Sequence, residues 1–166
     1  MDGDELRSIQ TPLKQRYRAE PESALVTLHA EGTLGSEEVS CSVQTGRALV
    51  EAGLHPATGG DGSLACSGDM LLQALVACAG VTLQAVATNK GIALREGTVR
   101  AEGDLDFRGT LGVDRGAPVG FTAIRLSFDL TSDASPEDLD ALIATTERYC
   151  VVYQTLAHSP ALTVSR

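Results

Sequence analysis

Apolar and polar positions recur along this chain with two periods, and each change of period marks a new element. From Ser23 to Gly32 (SALVTLHAEG) they alternate, which places Val26, Leu28 and Ala30 on one face of a strand. Residues 38–44 (EVSCSVQ) alternate in the same way, with Val39, Cys41 and Val43 inward, and a third strand is predicted near RALVE, after Gly46. HPATGGDGS, with Pro56, Gly59, Gly60 and Gly62, then reads as a loop. Residues 70–89 (MLLQALVACAGVTLQAVATN) carry no charge and form a helix, with Ser67 as its cap, Asp69 near the positive end of its dipole and Gly91 closing it.

Beyond that helix the period returns to two. Val99, Ala101, Leu105 and Phe107 alternate with Arg100, Glu102, Asp104, Asp106 and Arg108, and Ile124, Leu126, Phe128 and Leu130 do so against Arg125, Ser127 and Asp129. Between these strands GTLGVDRGAPVG is a hairpin loop of unusual length. Ser135 caps a second helix with Pro136 at its first position and Glu137 and Asp138 in its first turn. Along it Leu139, Leu142, Ile143, Thr146 and Cys150 recur at three- and four-residue steps, which turns Cys150 inward. Pro160 ends the helical region and ALTVSR is expected as a closing strand, while residues 1–22 form an arm or a helix ahead of the first strand.

Length and composition fit this pattern to one domain over residues 1–166, since 43% hydrophobic content is enough for a sizeable core. The net charge of −9 leaves no broad basic surface, so no nucleic-acid partner is expected; Lys14, Arg16 and Arg18 read as a solvated helix face. Residues 70–89 are long enough to cross a bilayer, but Gln73, Thr82, Gln84, Thr88 and Asn89 interrupt them and alanine outweighs leucine, which favours a helix buried in protein over a membrane span. The acidic, polar start MDGDELRSIQ resembles neither a secretory signal nor a transit peptide, so a cytoplasmic location is expected. In that reducing compartment Cys41, Cys66, Cys78 and Cys150 are no disulfide framework, and their spacing contains no CxxC pair for zinc.

The candidate chemistry therefore lies in thiols. Cys78 and Cys150 sit on the two apolar helices, where a thiol either packs or meets a greasy oxidant such as an organic hydroperoxide. Cys66, beside a helix N-terminus, is a rival nucleophile, and Cys41 reads as core. His29, His55 and His158 have no companions at metal-ligand spacing, and Gly59-Gly60-Asp61-Gly62 lacks the Lys-Ser or Lys-Thr of a phosphate loop; no metal or cofactor is expected.

Gly59-Gly60, then MLLQALVACAG with its cysteine, then a charged helix running into Tyr149-Cys150 and a short terminal strand resemble the superfamily of osmotically induced protein C and organic hydroperoxide resistance proteins, OsmC/Ohr, over most of residues 24–166. The resemblance implies an α+β fold in which two chains intertwine as a homodimer, two central buried helices being wrapped by curved antiparallel sheets. It implies a peroxidase in oxidative-stress defence, in which Cys78 attacks a hydroperoxide, becomes a sulfenic acid and closes a disulfide with Cys150, reopened by a dithiol or thiol reductant such as a lipoyl group. The alternative within the same fold is a binding module for an apolar ligand without turnover.

Three positions depart from the family pattern. Where family members carry Pro-x-Glu this chain has Ser67-Gly68-Asp69, so the resemblance implies Asp69 as the third catalytic residue in place of that acid; nine helical residues set it about half a revolution from Cys78, so it acts only through a bend in the helix or through an arginine. The first turn, EGTLGSEE, lacks the arginine that lowers the thiol pKa in the hydroperoxide resistance branch, leaving Arg47 and Arg18 as replacements. Val151 stands where that branch commonly has proline, so the chain resembles the general OsmC-like members more closely.

Overall fold

The computed structural model describes residues 3–34, 41–43 and 52–166. Mixed helices and strands follow in the order α1 (Gly3–Ala19), β1 (Leu25–Leu34), β2 (Cys41–Val43), β3 (Ala52–Gly53), β4 (Ala65–Cys66), α2 (Ser67–Lys90), β5 (Leu94–Asp106), α3 (Phe107–Thr110), β6 (Phe121–Ser132), α4 (Pro136–Tyr149) and α5 (Val151–Ala157), with single 3-10 turns at Pro21–Ala24 and Pro56–Thr58. The α+β expectation is met. One sheet has the strand order β2-β1-β5-β6, and β1 meets β2 antiparallel with Gly32 opposite Val43 and Leu34 opposite Cys41. A two-stranded parallel bridge sets Ala52 beside Ala65 and Gly53 beside Cys66. The third strand expected near RALVE lies outside the described residues, as do Gly46 and Arg47.

The chain divides into two compact units. The first comprises Met1–Ala30, Thr45–Leu72 and Ala101–Leu126. Tyr17, Ala24, Leu72, Ala101, Leu105 and Phe107 are buried there, and Tyr17 Oη donates to the Ala57 carbonyl at 2.6 Å, tying α1 to the turn at Pro56–Thr58. Gly103 is glycine because a Cβ there would stand 2.4 Å from the Phe121 ring, which packs over bare backbone. The long loop after β5 opens with the helical turn α3, capped by Asp106, whose carboxylate accepts from Arg108 N at 3.0 Å and Arg108 Nε at 3.0 Å. Arg108 also lies 3.7 Å from Asp114, so one guanidinium ties the start of that excursion to its middle.

The second unit comprises Glu31–Gln44, Gln73–Arg100 and Ser127–Arg166. Leu83, Ala87 and Leu142 are buried together, with Ile92, Leu94, Phe128, Leu130 and Leu139 packed around them. Among the described residues α2 is the one helix long and apolar enough to cross a membrane, and Leu72, Leu75, Val76, Ala79, Leu83 and Ala87 along it are buried in protein. Gly91 ends it at φ +68° as expected, with Gly91 N donating to Thr88 O and Ile92 N to Ala87 O, the paired bonds of a Schellman turn. Ser67, expected as the cap, is instead the first residue of α2, which β4 enters directly.

Two further expectations fail. The second helix does not run through Cys150: α4 stops at Tyr149, Cys150 adopts φ −71° and ψ 108°, and α5 starts at Val151. The break is held by Cys150 itself, whose N–H closes α4 on Thr146 O at 2.8 Å and whose sulfur caps α5 by accepting from Tyr153 N at 3.5 Å. ALTVSR forms no strand; its residues are exposed, Val164 by 99%, because a strand needs a neighbouring edge and no described strand pairs with it.

Candidate active site

Cys78 and Cys150 meet in the second unit, the first half-buried near the middle of α2 and the second fully buried between α4 and α5; both are free thiols. The stripe of α4 delivers Cys150, since Leu142 and Thr146 on the same face are also buried. The non-helical conformation at Cys150 then leaves the first N–H groups of α5 without helical acceptors.

Those free groups set the chemistry of Cys78. Burial by itself pushes its thiol up, but hydrogen bonds from Val152 N–H, the Cys150 thiol, Val151 N–H and the Thr82 hydroxyl outweigh burial and hold it below the ordinary thiol range. Cys150 goes the other way. Burial raises it, Tyr153 N–H offsets part of the rise, and the hydrogen bond and negative charge of Cys78 raise it further, to about 11. The arrangement favours the charged form of one sulfur and the neutral form of its neighbour.

Sequence reasoning singled out both cysteines and missed their partners. Thr82 was legible, being four residues after Cys78 on the same helical face. The amides of Val151 and Val152 were not, because they become available only through the helix break. Val151 in place of proline now has a physical meaning, since proline has no N–H to give.

The remaining candidates lie as follows. Asp69 is in the first turn of α2, which continues unbroken through Cys78, so the half-revolution between them expected from nine residues stands. Arg18 is exposed in the last turn of α1. Cys66 ends β4 as a half-buried free thiol, and Cys41 opens β2. His55 accepts from Ala57 N at 3.0 Å through Nδ1, and His158 is exposed at the end of α5. Among the described residues no group of three His, Cys, Asp or Glu side chains is placed to hold a metal.

The fold and this thiol pair define an α+β protein with one cysteine on its central helix and a second at the junction of two later helices. Residues 60–165 match the family described as OsmC-like protein, and the chain belongs to that family. Two solved structures are similar: an OsmC-like hydroperoxide resistance protein from Jannaschia sp. CCS1, 17% identical with a TM-score of 0.59, covering 84% of this chain and 91% of that one, and an OsmC-like protein from Mycoplasma pneumoniae, 17% identical with a TM-score of 0.57, covering 78% and 86%. At such identity the likeness concerns the fold. No curated protein matches this chain.

Proposed function

We propose that this protein is a cysteine-dependent peroxidase that reduces organic or small hydroperoxides in defence against oxidative stress. The observation that carries the reading is the unequal titration of the two adjacent thiols, Cys78 held low and Cys150 raised to about 11. Membership of the OsmC-like family and the printed description of the Jannaschia protein as a hydroperoxide resistance protein support it.

In the proposed cycle the Cys78 thiolate attacks the terminal oxygen of ROOH. The O–O bond breaks, Cys78 becomes a sulfenic acid, and the leaving alkoxide takes the Cys150 proton to become ROH. With the Cys78 thiolate consumed, the negative charge that raised Cys150 is gone, so the Cys150 thiolate left by that proton transfer is no longer disfavoured when a nucleophile is needed. Its sulfur attacks the sulfenic sulfur, expelling hydroxide that is protonated to water, and a Cys78–Cys150 disulfide forms. A dithiol or thiol, with lipoyl groups one candidate class, reduces that disulfide by exchange and leaves as its own disulfide. Asp69 is kept as a supporting residue at the helix N-terminus, acting at a distance from the sulfur.

The setting proposed is one OsmC-like domain in a cytoplasmic homodimer. Exposed Val81, Tyr149 and Val151 in the second unit support a partner surface, which sedimentation equilibrium tests directly.

One experiment addresses the reading as a whole. One equivalent of cumene hydroperoxide added to reduced protein should consume two thiols and produce a Cys78–Cys150 link, seen by peptide mass after alkylation, and Cys78→Ser should abolish both changes. Unchanged thiol titre and mass would leave a binding module of the same fold as the better description.

A further inference from the structure

We infer that the first unit carries a separate binding site, for a small aromatic molecule bearing one hydrogen-bond acceptor such as a carbonyl. The site is a cavity of about 390 Å³ whose lining includes none of Cys78, Cys150, Thr82, Val151 or Val152. It is independent of the peroxidase reading and does not rest on it.

Its walls concentrate what the chain is short of. Aromatic residues make up only 4% of the sequence, yet two of the three phenylalanines, Phe107 and Phe121, line this cavity together with His55, whose ring stacks on Phe107 with centroids 4.9 Å apart. Leu54, Leu71 and Val119 also line it and are exposed, Val119 by 65%, although apolar side chains usually avoid water in such a cluster. An apolar cavity of about 150 Å³ accepts benzene, so this one has room for a substituted ring, and it stands near the small end of ligand pockets rather than at the size of a peptide groove.

The polar point in the wall is His55. Because Nδ1 accepts from Ala57 N, the neutral ring carries its proton on Nε2, and Nε2 has no partner among the described residues. A ligand placed against the ring must therefore offer an acceptor. The frame is preformed: Thr58 Oγ1 donates to His55 O at 2.9 Å, Tyr17 fixes Ala57, and a Cβ on Gly109 would stand 2.2 Å from Pro118 O, so the loop returns Val119 and Phe121 against Phe107 only with glycine there. Such a site needs little rearrangement on binding.

Cys66, a thiol in the cavity wall, serves as the reporter. Reduced full-length protein is alkylated with iodoacetamide while acetophenone or benzene is added, and modification of Cys66 is followed by peptide mass. Saturable protection of Cys66 is expected, with acetophenone half-saturating at roughly five-fold lower concentration than benzene, the worth of one net hydrogen bond. In His55→Phe, which keeps a flat ring on Phe107 but has no ring N–H, both compounds should still protect and the preference should vanish. Absence of protection overturns the inference. So does a Cys66 that reacts only on dilution, which would make a second copy of this chain the occupant. If His55→Phe does not fold, equal half-saturation by the two compounds in the native chain overturns the assignment of His55 as donor. Protection should persist in Cys78→Ser, whether or not the native chain turns over peroxide.

Discussion

The Cys150 thiol hydrogen-bonds the sulfur of Cys78, and the two groups titrate in opposite directions, Cys78 below the ordinary thiol range and Cys150 up to about 11. Burial acts on both in the same sense. What separates them is that Cys78 collects donors from Val152, Cys150, Val151 and Thr82, whereas the hydrogen bond and charge of Cys78 disfavour ionisation of Cys150.

The first prediction is a split pH profile. The charged form of Cys78 gains relative to an ordinary thiol, so its alkylation rate should rise with pH and level off earlier than that of a free cysteine. Cys150, whose neutral form is favoured, should stay slow until the pH approaches about 11. Site-resolved iodoacetamide kinetics would show the two curves, and coincident midpoints would contradict the assignment.

A second prediction isolates one amide. Val151 is the first residue of α5, where proline is favoured, and Cys150 already has the extended backbone that a following proline requires. Val151→Pro should therefore keep the fold and remove one donor, raising the Cys78 pKa by about one unit, as for a bond to a charged group of at least ~1.5 kcal/mol. The same titration checks it, and an unmoved midpoint would assign the low value to the other donors.

Removing the second thiol should leave the first step intact. In Cys150→Ser, cumene hydroperoxide should still oxidise Cys78, but the sulfenic acid has no partner to condense with and should proceed to the sulfinic acid. Mass spectrometry with a sulfenic-acid trap reads both species, and a variant that takes up no oxygen at Cys78 would remove Cys78 from the attacking role.

Asp69→Asn should shift the Cys78 midpoint by much less than Val151→Pro, because continuous helix sets the two side chains about half a revolution apart. A larger shift, measured by the same kinetics, would promote Asp69 to a direct partner.

Leu142→Ala tests the packing beneath the pair. Leu142 is fully buried against Leu83 and Ala87, so truncation should cost about 2–5 kcal/mol in urea unfolding while the reactivity of Cys78 in the folded fraction is retained.

Much of this was legible in the chain before any coordinates. The charge-free stretch containing Cys78, the Ser135-Pro136 start of α4 and the Gly91 ending of α2 each rest on local chemistry, and each stands where its residues imply. The stripe through Leu142 and Thr146 correctly turned Cys150 inward. The helix break was hidden because periodicity reports which face is buried and not whether the backbone is continuous; a cysteine sulfur acting as a cap is also a rare signal. Alternation in ALTVSR was misleading for a related reason, since it describes a strand's faces and not the edge it must join. The cavity beside His55 was not legible because its wall is assembled from short pieces of β3, β4, the start of α2, the end of β5, α3 and the start of β6, which are scattered along the chain.

Capping of α5 by the Cys150 sulfur ties oxidation state to backbone order. Once that sulfur is committed to Cys78 it is a poorer acceptor for Tyr153 N–H, so forming the bridge should fray the opening turn of α5, and amide exchange at Tyr153 should quicken in oxidised protein. Reduction would reseat the turn. In the proposed cycle such a chain would signal its own spent state, loosening the segment beside the bridge just when an incoming reductant must reach it.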